Sequence, residues 1–171
     1  MRGSLRTAFS ILVAGALLPA CSAAFDGTTY HRDGVTFRVP APPASWERLE
    51  ADGASLAFRD ASAGATVMVS GRCGRGEDDV PLPALTQHLF LQFTEREQAA
   101  QEVVPFDGRE AMHTVMSAKL DGVAKKFDVW VMKKDGCVYD MIFIAEPARF
   151  DAGVGEFRKF VGGFSTARGD G

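Results

Sequence analysis

The 171 residues contain no apolar run long enough to cross a bilayer as a helix, which needs about 20 residues. The longest such run, Ala8 to Leu18, has about eleven. Metal-ligand spacings are missing as well. The three histidines, His31, His88 and His113, stand far apart, and no His-x-x-His, His-Glu-x-x-His or Cys-x-x-Cys occurs, so no metal site is expected. Ser70 lacks the Gly-x-Ser-x-Gly frame of a hydrolase nucleophile. The glycine-rich loop Gly71 to Asp79 is not followed by Gly-Lys-Ser/Thr, which argues against a phosphate loop. Basic clusters are also wanting: 19 Lys and Arg face 22 Asp and Glu, for a net charge of −3. A mildly acidic chain argues against nucleic-acid binding and against electrostatic docking on anionic lipid.

What the N-terminus does have is a leader. Arg2 and Arg6 precede the apolar run, no acidic residue appears before Asp26, and no twin arginine is present. That layout is a secretory signal peptide using the general route. It closes on Leu18-Pro19-Ala20-Cys21. The leucine three before the cysteine and the small residue just before it resemble the lipobox of bacterial lipoproteins, with Pro19 where that family usually has a small or aliphatic residue. The resemblance implies cleavage before Cys21, a diacylglycerol on its thiol and an acylated amine. The alternative is an ordinary signal peptide cut after Ala20 or Ala23. More than one acyl chain gives stable anchoring, where a single chain is marginal. Ser22 follows the cysteine where an inner-membrane lipoprotein of a two-membrane bacterium commonly has aspartate, which by resemblance implies the periplasmic face of the outer membrane.

Removing residues 1–20 leaves 151, and losing Arg2 and Arg6 takes the charge from −3 to −5. That length suits one domain with a core of its own, and the twelve phenylalanines that remain once Phe9 is removed speak for a folded one. With Cys21 acylated, Cys73 and Cys137 form an even pair in an oxidising compartment, and a disulfide between them is expected. The alternative is two buried thiols packed as small hydrophobes.

Residues 21–32 read as lipidated cysteine and tether, 33–165 as a single domain, and 166–171 as a flexible tail. Alternation places strands at 34–39, 54–59 and 65–73. Pro40, Pro42 and Pro43 close the first strand, and Trp46 after them is expected as a core plug. Leu82, Leu85, Leu89, Phe93 and Arg96 form one stripe at steps of three and four, which predicts a helix over 82–96 with His88 at its flank. Asp107-Gly108, Asp121-Gly122 and Asp135-Gly136 then separate alternating runs at 101–106, 109–120, 123–133 and 137–145. Asp-Gly is a strong hairpin signal, because both turn positions favour positive φ. The last run is apolar on both sides, so it is expected to be central and covered on both faces. Phe150, Val154, Phe157, Val161 and Phe164 recur at helical spacing, and Gly162-Gly163 ends that helix. The fold class is α+β: a central antiparallel sheet of about six or seven strands with a helix packed on each face.

Asp140 is the charged residue inside the central strand. A buried carboxylate must be paired or neutralised, and in a cleft it can mark a functional site. The bland alternative pairs it with a lysine such as Lys126 across the hairpin. Cys73 offers a thiol for nucleophilic chemistry unless it is bridged.

Val35-Thr36-Phe37-Arg38-Val39-Pro40, Trp46, the Leu56/Phe58 strand, the Asp121-Gly122 hairpin and Val138-Tyr139-Asp140 leading to Phe150 resemble the PsbP-like fold over about residues 33–165. That family includes the extrinsic photosystem II protein and small bacterial periplasmic lipoproteins. The resemblance implies a non-catalytic accessory module that binds an envelope protein, with no cofactor. Two other readings stand beside it. A carrier of a lipid or small apolar ligand would need a deep apolar pocket near Trp130 and the first helix. A thiol-dependent envelope enzyme would need a free, low-pKa Cys73.

Overall fold

The computed structural model describes residues 24–74 and 79–167. The stretch read as a signal peptide lies outside them, as do Cys21, Ser22 and Ala23, residues 75–78 of the glycine-rich loop and residues 168–171 of the stretch read as tail. The larger of two sheets has seven strands, all pairs antiparallel: β3 (Trp46–Leu49), β4 (Leu56–Asp60), β5 (Ala65–Cys73), β9 (Cys137–Ala145), β8 (Val123–Lys134), β7 (Arg109–Leu120) and β6 (Thr94–Phe106), in that spatial order. A second sheet pairs β1 (Thr29–Arg32) with β2 (Val35–Arg38) and β10 (Ser165–Thr166).

The Asp-Gly hairpins fall where the sequence puts them. Asp107, Asp121 and Asp135 have φ of 44°, 50° and 52°, and the glycines after them are also positive. A fourth pair, Asp33-Gly34, with φ of 52° and 78°, joins β1 to β2. This turn corrects the tether: its last four residues form β1, and Phe25 bridges to Tyr30. The strand expected at 34–39 therefore belongs to the small sheet. At the other end Ser165 and Thr166 form β10, so ordered structure continues into the stretch read as tail.

Residues of β8 alternate between two apolar clusters. Phe127, Val129 and Val131 pack with Leu85 of α1 (Leu82–His88), while Met132 packs with α2 (Phe150–Gly162) on the other side. β9 divides likewise, Val138 facing α1 and Tyr139, Met141 and Phe143 facing α2, so it is central as expected. Phe150, Val154, Phe157 and Val161 are buried along α2, and Phe164 is buried just beyond it. Trp46 plugs the core between Phe58 and Phe160, at ring distances of 5.9 and 5.1 Å.

The helix expected over 82–96 is half that length. It ends at His88; Leu89, Phe90, Leu91 and Phe93 then donate to carbonyls three residues back, and Thr94 opens β6. The tight turns set Phe90 and Phe93 edge-on against Phe127, at 5.3 and 4.9 Å. From Thr94 on, the ladder to β7 outweighs the local helical pattern, whose propensity is a weak term beside tertiary pairing. Coverage of the two faces is consequently unequal. One carries the thirteen-residue α2 with the small sheet, the other the seven-residue α1.

Candidate functional site

Cys73 and Cys137 stand opposite each other in the β5–β9 register and are joined by a disulfide. Neither sulfur is a thiolate in this state, which removes the thiol chemistry considered for Cys73. Asp140, buried on β9, faces the α1 side and makes an ion pair with Arg72 of β5. Its partner is not Lys126. That lysine lies on the opposite face, its Nζ 4.4 Å above the Phe150 ring. Register explains the difference: Asp140 is level with Ser70 and Val131, and Arg72 is two residues along the neighbouring strand.

The most connected polar cluster was not anticipated, and it sits on the α2 face. Asp128 of β8 is fully buried, yet it accepts hydrogen bonds from three sources. Trp130 Nε1 donates at 2.8 Å, Arg158 of α2 donates through Nε at 2.9 Å and Nη2 at 2.6 Å, and His113 Nε2 lies 3.1 Å away. His113 Nδ1 faces Glu102 Oε1 of β6 at 3.4 Å, and the imidazole stacks on Trp130 at 4.3 Å. A carboxylate at each ring nitrogen is satisfied only when both carry protons. The His113 pKa follows that geometry. Burial disfavours its cation, but the hydrogen bond and charge of Asp128 and the Glu102 contact outweigh burial and hold it above the ordinary value. Burial likewise opposes the Asp128 anion, and the bonds from His113 and Arg158 outweigh it, so that pKa is lowered.

This cluster is built to hold, not to react. Both ring nitrogens of His113 are occupied by carboxylates, so neither is open to take a proton from a nucleophile. Arg158 already meets the charge of Asp128, and among the described residues no group of three or more His, Cys, Asp or Glu could hold a metal ion. The effect is to tie β6, β7, β8 and α2 together. The sequence did carry a signal for it. From Leu120 opposite Val123, counting back along the hairpin places His113 opposite Trp130 and Val115 opposite Asp128.

The other candidate is a surface. Val103, Leu120 and Val123 are exposed on the α1 face, and Leu91, 68% exposed, projects from the turns after α1. Leu120 and Val123 pair across the tip of the β7–β8 hairpin, and Leu91 is three residues from Thr94, which pairs with Lys119. Leu120 and Val123 thus sit together at the hairpin tip with Leu91 a few residues from its neighbouring strand, whereas Val103, level with Met112, lies eight residues further along the sheet. The adjoining edge strand β6 is long but guarded, with bulges between Thr94 and Ala100 and with Pro105 near its end. Bulges and proline both discourage further strand pairing. His88 is exposed at the end of α1 and belongs to neither group. Trp130 packs on His113 and Phe106, on the face opposite α1, so the two do not enclose the carrier pocket envisaged between them.

No family model matches the sequence, and no curated protein does. Solved structures do. The chain is similar to cyanobacterial PsbP (CyanoP) from Synechocystis sp. PCC 6803, at 13% identity and a TM-score of 0.59, covering 88% of this chain and 99% of that one. It is also similar to LpqN of Mycobacterium tuberculosis, described as involved in cell envelope biogenesis, at 14% identity and a TM-score of 0.55 over 82% and 90% of the two chains. A Bacteroides thetaiotaomicron protein matches at 11% identity and a TM-score of 0.57; the chain spans about half of its length. At these identities the similarity establishes the PsbP-like fold and nothing finer.

Proposed function

We propose that this chain is a lipid-anchored, periplasm-facing accessory module that binds an envelope protein and carries out no chemistry of its own. In this reading residues 1–20 are the leader and Cys21 holds the acyl chains, at the outer membrane. One observation carries the binding part: the exposed apolar group of Leu120 and Val123 at the hairpin tip with Leu91 nearby. Exposed apolar side chains gathered in one place mark interaction sites on otherwise soluble domains. The similarity to LpqN, an envelope-biogenesis protein, supports the compartment. Among the described residues no helix is long and apolar enough to cross a membrane, and acylation of Cys21 would supply the attachment.

The test is cross-linking in intact cells, followed by gentle solubilisation and identification of what purifies with the chain. The expected result is one protein at fixed stoichiometry. A lipid or small molecule recovered instead of a protein would overturn the reading in favour of a carrier.

A further inference from the structure

The first described residue, Ala24, is three residues beyond Cys21, and its carbonyl is tied into the fold by the His31 amide at 2.8 Å. Three residues reach at most about 10 Å. The end of the domain holding Ala24 is therefore close to the bilayer whenever Cys21 is acylated, and the inference rests on that part of the proposed function. The far end is set by the β7–β8 hairpin, twelve residues in each strand and so about 40 Å long. Its Leu120/Val123 tip lies at one extremity. Lys134, Cys137 and Cys73 follow one another across the sheet at the other.

An open cleft of about 600 Å³ lies at this second extremity, between the segment starting at Ala24 and the turn from β3 to β4. Its polar lining includes Arg32, Arg48, Glu50 and Asp52, cations and anions in equal number. Arg48 is seated on an aromatic shelf, its guanidinium 5.1 Å from the Phe25 ring centre and 5.5 Å from that of Phe58. One of its nitrogens donates to the Ser55 carbonyl at 3.4 Å. A guanidinium held in place beneath an open cleft is prepared for a phosphate, which it binds through paired N–H donors.

We infer that this cleft takes the headgroups of the bilayer that anchors Cys21. Arg48 and Arg32 meet lipid phosphates, and Glu50 and Asp52 meet an ammonium group. The balanced charge fits a zwitterionic phospholipid bearing a primary ammonium, and it agrees with a domain whose net charge is acidic. The domain then stands with the cleft against the membrane, and the apolar tip of the β7–β8 hairpin lies at the opposite end of the strands, away from the cleft.

The experiment uses the full chain, purified from membranes of the producing cells and reconstituted in vesicles of phosphatidylethanolamine and phosphatidylglycerol. Benzoylphenylalanine replaces Ala51 at the cleft in one sample and Val123 at the tip in another. Photolysis and peptide mass analysis then report lipid adducts, and the N-terminal peptide reports acylation. The expected result is acyl mass at Cys21, a phosphatidylethanolamine adduct at position 51, none at 123, and loss of most of the adduct in Arg48→Ala. Acyl mass at Cys21 with no adduct at 51, equal adducts at both positions, or an adduct indifferent to Arg48→Ala would overturn the headgroup site and leave the anchor standing. No acyl mass at Cys21 would overturn the anchor and the headgroup site together.

Discussion

Asp128 carries the largest share of buried polar contacts at the level of single residues, and the consequences of changing it follow from its partners. Asp128→Ala leaves His113 Nε2, Trp130 Nε1 and the Arg158 guanidinium without their acceptor, while His113 Nδ1 keeps Glu102. Breaking a buried pair from one side costs about 3 kcal/mol at the lower end of the range, and that end applies because Arg158 keeps access to water. The expected observation is a lower urea midpoint with an unchanged slope. The same cluster gives a pH dependence with a definite sign. The His113 pKa is raised, so its contribution is complete below the ordinary value of 6.5 and is lost as pH rises through its higher folded value. The Asp128 pKa is lowered from 3.8, so its contribution is present above that value and is lost as pH falls through the folded one. Stability should therefore decline as pH rises above 6.5 and through the higher folded value, and His113→Gln should flatten that decline in midpoints measured against pH. A steric prediction stands apart from charge. A Cβ on Gly153 would come within 2.5 Å of Ala63 Cβ and 2.9 Å of Phe143 Cζ, where α2 lies on the sheet. Gly153→Ala is expected to destabilise by about 1–3 kcal/mol by overpacking, read as a fall in melting temperature. At this scale the sequence was half legible. The pairing of Cys73 with Cys137 could be argued from compartment and count, whereas the Asp128 cluster required the hairpin register to be followed through to His113.

Elements were more legible than residues wherever the local signal and the tertiary pairing agree. Three Asp-Gly turns give β6 to β9 their order, and the Phe and Val stripe gives α2 with its glycine end. The reading failed where the two conflict. Leu82 to Arg96 has helical spacing throughout, but the part from Thr94 pairs with β7, and only Leu82–His88 remains helical. The segment before Asp33 was missed because it is small and polar, although Asp33-Gly34 is a turn of the same kind as the other three. The disulfide spans 64 residues and joins β5 to β9, adjacent strands at the middle of the sheet. In the chain-entropy model a loop of that length is worth about 4 kcal/mol. Thermal unfolding with and without reductant should show a clearly lower transition for the reduced chain; equal transitions would mean the bridge adds nothing to the fold.

For the whole molecule, function is a matter of which end faces what. The Ala24 end carries the mixed-charge cleft, and the hairpin tip carries Leu120 and Val123 with Leu91 nearby. In the proposed arrangement the first meets the membrane and the second meets a protein. Cys21→Ser should move the chain from the membrane fraction to the soluble one, as fractionation and immunoblotting would show. The partner-binding claim is tested most directly by comparing the wild-type chain with Val123→Asp in the same in-cell cross-linking experiment. Val123 is 52% exposed at a hairpin tip, so the substitution should leave the melting temperature unchanged. The account predicts one stoichiometric protein adduct with the wild-type chain and its loss in the variant. The same adduct in both, at equal yield, would contradict it.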